Sequence, residues 1–287
     1  MTINFQTPSL RDKATAVKLS RRMFNPSQYD RAVTTAVDAS KGTARAGKYM
    51  KRLLKHCTEL ADVISAYGDV YQYVREHTLP WMDEGMRLVP NAYYSEFILG
   101  YRDLADKADQ AVTRLYNVWD AAVQADQAVL KGMWDPDDYP SKDEMLDKWE
   151  LRLMPMPIPS SEDFRIDLDE TDKALLDQKI AEVEANATSH VIKEVFEPVK
   201  AMAERLSVAK GEKGSVFRNT LVSNVLEACE RAKALNINHD ERVDEVVKEV
   251  TELIGSTTPD DLREDEALRA HMGKKMSEIE ETMKSWF

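Results

Sequence analysis

Residues 91–131, NAYYSEFILGYRDLADKADQAVTRLYNVWDAAVQADQAVLK, run without a proline and decide the fold class. Apolar side chains recur at Leu104, Ala108, Ala111, Val112, Leu115 and Val118/Trp119, in steps of three and four. That is the period of one helix face, and 1.5 Å per residue gives a single rod of about 60 Å, stopped by Gly132. A second run, 170–209, carries Leu176, Ile180, Val183, Ala187, Val191, Val195, Val199, Met202 and Leu206 at coiled-coil-like spacing, with Pro198 as a kink.

Between these runs lies the chain's strongest punctuation. Five of the 11 prolines, Pro136, Pro140, Pro155, Pro157 and Pro159, fall within 24 residues. Alternating prolines remove N–H donors and restrict the residues before them, so 154–160 reads as an extended crossing. Composition changes across it: 17 of the 22 aromatic residues lie in 1–150. The expected organisation is an aromatic-rich helical domain, 1–150, with a basic N-terminal segment. A proline-rich crossing, 151–168, follows, and then an acidic coiled-coil-like bundle, 169–287.

Capping signals fill in the remaining helices. Ser27-Gln28-Tyr29-Asp30 predicts a helix to Ser40, and a further helix spans 58–77. Ser141-Lys142-Asp143-Glu144 predicts a short helix, 215–235 returns after Gly214, and Asn238-His239-Asp240-Glu241 opens a helix ending near Gly255. Thr258-Pro259-Asp260-Asp261 opens a last helix running almost to Phe287. Two stretches, 17–21 and 164–168, alternate with period two and predict one short two-stranded β ribbon. The fold class is therefore mainly α: an elongated multi-helix bundle with long antiparallel helices and that ribbon.

The 287 residues suit about two domains, and 43% hydrophobic content suffices for a core. Only 10 glycines argue against an all-β chain. Net charge is −12, which disfavours a generic nucleic-acid binder. The charge is unevenly placed: residues 1–60 hold 12 Lys/Arg against 4 Asp/Glu. Two cysteines, Cys57 and Cys229, make no disulfide framework and imply a reducing compartment. The N-terminal residues show no apolar leader, so the expected location is cytoplasmic, or host-cytoplasmic if phage-encoded.

Chemistry-bearing patterns are sparse. No pair of the five histidines has zinc-ligand spacing; His190 and Glu194 share one helix face. His56 and Cys57 are adjacent and point about 100° apart on a helix. Asp135, Asp137, Asp138, Asp143 and Glu144 suit either turn-capping or a divalent cation. Gly211-Glu212-Lys213-Gly214 suits a helix-to-helix turn, and no nucleotide-binding or hydrolase motif is present. The most distinctive feature is a basic stripe: Lys41, Arg45, Lys48, Arg52 and Lys55 at spacings of 4, 3, 4 and 3, along one face of a helix over 43–57. It suits a solvated face, an acidic protein partner, the chain's own acidic half, or phosphate backbone.

One block is familiar. Leu79-Pro80-Trp81-Met82-Asp83-Glu84-Gly85-Met86-Arg87-Leu88-Val89-Pro90 is similar to an LPW-x-D-x-G-x-R-L-x-P core. With it come Ala46-Gly47-Lys48-Tyr49-Met50-Lys51-Arg52, Asp138-Tyr139-Pro140-Ser141, Pro157-Ile158-Pro159, Asp163-Phe164-Arg165, Phe217-Arg218-Asn219 and Asp261-Leu262-Arg263. In this order they resemble a helical family of unknown function from tailed phages and some bacteria. Its members are often encoded near a MoxR-type AAA+ ATPase and a von Willebrand A-domain protein. The resemblance implies a non-enzymatic adaptor for such a complex, without cofactor or bound metal of its own. Read from the residues, the block is a corner joining two helices or a partner-docking loop built on Trp81, Asp83, Arg87, Tyr93 and Tyr94. Two alternatives stand: a nucleic-acid-binding accessory protein using the basic helix, and a metal-dependent enzyme using Asp135, Asp137 and Asp138. Partner binding, including homo-oligomerisation, ranks first and nucleic acid second; no membrane partner is expected.

Overall fold

A computed structural model describes residues 9–82, 85–159, 169–208, 212 and 216–287. The elements begin with α1 (Leu10–Lys13), β1 (Ala14–Arg22), β2 (Ser27–Tyr29), α2 (Arg31–Ser40), β3 (Met50–Arg52) and α3 (Thr58–Glu76). β4 (Leu79–Pro80), β5 (Arg87–Pro90), α4 (Tyr94–Leu130), α5 (Lys142–Leu146) and β6 (Glu150–Met156) come next. The chain closes with α6 (Glu170–Ser207), α7 (Thr220–Leu235), α8 (Glu241–Ile254), α9 (Asp261–Glu264) and α10 (Glu266–Lys284). Helix accounts for 66% of the described residues, so the mainly helical expectation holds. Strands add more than expected: a four-stranded sheet, β4-β5-β1-β6, and a two-stranded one, β2-β3, make the fold an α/β mix.

The ribbon expected from 17–21 and 164–168 is corrected in part. The first stretch does lie in β1, but β1 pairs antiparallel with β5, from Ala14 opposite Pro90 to Val17 opposite Arg87. Residues 164–168 lie outside the described residues. β4 and β5 form a hairpin, Leu79 opposite Leu88 and Pro80 opposite Arg87. Both strands carry a proline, which fits only where the missing N–H faces away from a ladder.

The chain forms two compact units: Met1–Lys18, Arg75–Phe97 and Pro155–Phe287 in one, Leu19–Val74 and Ile98–Met154 in the other. The boundary at 154/155 falls in the proline-rich stretch; the others fall inside β1, α3 and α4, where composition does not change.

In the first unit, α6 packs against α7 and α10, and α7 against α8. The seam read from the sequence is buried from Ala187 to Leu206, whereas Leu176, Ile180 and Val183 are only half-buried. α6 continues through Pro198. Its C-terminal end is closed by Arg269 of α10, whose guanidinium Nη2 donates to the carbonyls of Arg205 (3.0 Å) and Val208 (2.9 Å). These are orphan acceptors of a helix end, and a buried cation there also meets the negative end of the helix dipole. The last helix is not continuous, because Asp265 is extended (φ −100°, ψ 104°) and caps α10 by accepting from Leu268 N at 2.9 Å.

In the second unit, Ala108, Ala111, Val112, Leu115 and Trp119 of α4 are buried, with Leu104 and Val118 half-buried. Trp119 meets Phe24 edge-on at 5.6 Å, and its indole N–H donates to the Pro140 carbonyl at 3.1 Å. Tyr67 of α3 meets Trp149 at 5.1 Å. Ser141 and Glu144 form the expected capping box of α5. Ser27–Tyr29, however, is a strand, and α2 starts instead from Asp30, whose carboxylate accepts from Val33 N at 2.9 Å.

The basic helix over 43–57 is not formed. Gly42 and Arg45 adopt left-handed conformations (φ 67° and 60°), as does Leu54 (φ 53°), and such residues terminate a right-handed helix. The segment is a loop through Tyr49, then β3, then a turn. No helix among the described residues is long and apolar enough to cross a membrane.

Candidate functional site

The LPW block places its residues within the first unit. Leu79, Leu88 and Val89 are fully buried and fix the hairpin base. Arg87 is half-buried: its Nε donates to Thr78 Oγ1 (2.7 Å), and its Nη2 donates to the carbonyls of Arg75 (2.9 Å) and Thr78 (2.6 Å). It thus ties the hairpin to the C-terminal end of α3. Pro80 and Met82 are exposed and Trp81 half-buried at the tip; Asp83 lies outside the described residues. Tyr93 is buried and Tyr94 half-buried at the start of α4.

The hairpin also brings together two residues that sequence reasoning did not pair. His77 Nδ1 and Tyr93 Oη share a hydrogen bond of 2.5 Å, and their rings are near-parallel. Opposite them α7 presents Glu227, Glu230, Arg231 and Ala234, one helix face, and with Glu96 these line a cleft of about 240 Å³. Burial, helped by Arg231, holds the His77 imidazole below its ordinary pKa. The only sequence signal for this pairing is that both residues flank the block.

His190 and Glu194 do lie on one face of α6, 3.8 Å apart. The carboxylate does not charge the imidazole. Burial, with Arg87, Lys193 and Arg75 nearby, pushes His190 down to about 4. An unfolded histidine titrates near 6.5, so between about 6.5 and 4 the folded chain binds fewer protons, and stability falls as pH falls through that window. The melting temperature is expected to drop between pH 7 and pH 5, and His190→Gln is expected to flatten that drop. An unchanged slope in the variant would contradict this.

In the second unit, Lys41, Arg45, Lys48, Arg52 and Lys55 are all exposed, on a loop and strand instead of a helix face. Lys51 turns the other way, which no sequence pattern signals. It is 7% exposed, ion-paired with Asp138 at 2.5 Å, and donates to the Met133 carbonyl at 2.7 Å. Asp138 therefore serves a buried pair. Asp135 caps a 3-10 turn by accepting from Asp137 N at 3.0 Å, and Glu144 belongs to the α5 capping box. Among the described residues no group of three or more His, Cys, Asp or Glu is placed to hold a metal ion.

One buried carboxylate that the sequence did not single out joins distant parts of this unit. Asp126 of α4, 3% exposed, accepts from Leu54 N (2.7 Å) and from the Tyr139 hydroxyl (2.6 Å). Burial and this carboxylate together raise the Tyr139 pKa, so the phenol remains a donor. Nearby, His56 and Cys57 border an open cleft of about 230 Å³ with Glu59 and Val129. Burial pushes the Cys57 thiol up from its ordinary pKa, which disfavours a nucleophilic thiolate. Burial in α7 takes Cys229 to about 11.

No family model, curated protein or solved structure matches the chain.

Proposed function

We propose that the chain is a non-enzymatic interaction protein, an adaptor for a AAA+ ATPase and its von Willebrand A-domain partner, docking through the LPW hairpin. The supporting observation is the division of labour within that hairpin. Its base is immobilised by Leu79, Leu88, Val89 and the Arg87 clamp, while Pro80, Trp81 and Met82 reach solvent at its end. A rigid support beneath an apolar tip lowers the ordering cost of association, and tryptophan is a favoured anchor of interfaces. The ATPase as partner rests on the family resemblance.

The test is affinity purification of the tagged full chain from cells expressing its neighbouring genes. The ATPase is expected to co-purify, and Trp81→Ala with Met82→Ser to cut its recovery about tenfold at an unchanged melting temperature. Absence of the ATPase from the purified material overturns the reading.

A further inference from the structure

We propose that the α2–β3 loop and the β2–β3 ribbon form a binding surface for single-stranded nucleic acid, an activity separate from ATPase docking. Between Arg31 and His56 every exposed charge is positive: Arg31, Lys41, Arg45, Lys48, Arg52 and Lys55. The one acid in that span, Asp38, is 8% exposed, and its carboxylate accepts from Ala46 N at 3.3 Å. Among the described residues none of the six exposed cations is ion-paired. They remain available to a polyanion.

The loop that carries Lys41, Arg45 and Lys48 is fixed in shape. Thr43 N donates to the Asp38 carbonyl (2.9 Å), Gly42 N to the Ala39 carbonyl (3.1 Å), and Tyr49 N to Thr34 Oγ1 (2.9 Å). Arg45 is held left-handed within it. Cations on such a loop are partly ordered before a ligand arrives.

Beside the cations stand unpartnered aromatic and thioether surfaces. Tyr29 and Met50 lie directly opposite each other across the ribbon, each 48% exposed, and Tyr49 is 39% exposed. Side chains alternate along a strand, so Lys51, which turns inward to Asp138, sets Met50 and Arg52 on the outward face. Exposed tyrosine among unopposed cations is the combination that stacks bases and tracks a phosphate backbone without sequence readout. A duplex hides its base faces and an acidic peptide has none, so both make poorer use of Tyr29. The chain's net charge of −12 does not prevent binding, because charges beyond about 8–10 Å are screened at physiological salt.

The test measures fluorescence anisotropy of a labelled 20-nucleotide oligo(dT) with the full chain at 50 and 200 mM salt. Salt-sensitive binding is expected. The triple variant Lys41→Gln/Arg45→Gln/Lys48→Gln should weaken it at least tenfold at 50 mM and flatten the log–log salt slope by about 2. Tyr29→Ser should weaken it about fivefold or more, and Tyr29→Phe, which keeps the ring, should not. The proposal is overturned by no binding at 50 mM, by wild-type affinity of the triple variant, or by a duplex of equal length binding as tightly with no effect of Tyr29→Ser. Equal competition by a poly-glutamate of matched charge also overturns it, in favour of an acidic protein segment. None of these outcomes touches ATPase co-purification, so the two readings fail separately.

Discussion

Replacing Asp126 by alanine is expected to destabilise the protein by about 3–5 kcal/mol, because it removes a charged acceptor and orphans two donors together. Leu54 N–H and the Tyr139 hydroxyl both end on this carboxylate, which is 3% exposed. Leu54 also sits at φ 53°, a conformation that costs a side-chain-bearing residue free energy and persists only when its surroundings hold it. Tyr139→Phe removes one donor and leaves Asp126 bonded to Leu54, so its cost is expected to be about 1–2 kcal/mol. Urea unfolding followed by circular dichroism measures both. The double variant should cost less than the sum of the singles, since the Tyr139 bond is already absent once Asp126 is gone. A cost below 1 kcal/mol for Asp126→Ala would contradict the structure at this point.

The second large effect is expected at Gly273, where α10 meets α6. A Cβ added there would lie 3.1 Å from the Leu206 carbonyl carbon and from its Cβ, closer than ordinary van der Waals contact. Two effects compete in Gly273→Ala: the helix gains about 1 kcal/mol of propensity, and the clash removes a similar amount, so little net change is expected. Gly273→Leu adds bulk that must displace α6 backbone, which cannot retreat as a side chain can. About 3 kcal/mol of destabilisation is expected, measured by the same unfolding experiment. Leucine tolerated as well as alanine would show that the two helices are further apart than described.

These two positions show what the sequence reveals and what it hides. The long helices α4 and α6 were legible because their apolar periodicity runs for many turns, and α5 because its capping box is local. Asp126 was hidden: among neighbouring acids it looks like one more solvated charge, and its partner Leu54 N lies 72 residues away. The hairpin β4–β5 was hidden too, since its strands are two and four residues long and β5 takes its second partner from Ala14–Val17. The basic stripe misled for a physical reason. Charges at 4, 3, 4 and 3 imitate a helix face, but loop cations are under no periodic constraint, and Arg45, at positive φ, sits in a loop whose Thr43 N and Ala46 N donate to the Asp38 carbonyl and carboxylate. The candidate docking set was legible as a motif, whereas the roles within it, Arg87 as clamp and Tyr93 as partner of His77, required the fold.

Docking of an ATPase by the LPW hairpin, as proposed above, is open to a direct test. The measurement is size-exclusion chromatography with light scattering on the purified full chain mixed with a purified MoxR-type ATPase, in the presence of ATP. A complex is expected whose mass exceeds that of either protein alone and which is lost with Trp81→Ala. Two separate peaks at their individual masses, with the ATPase active, would contradict it.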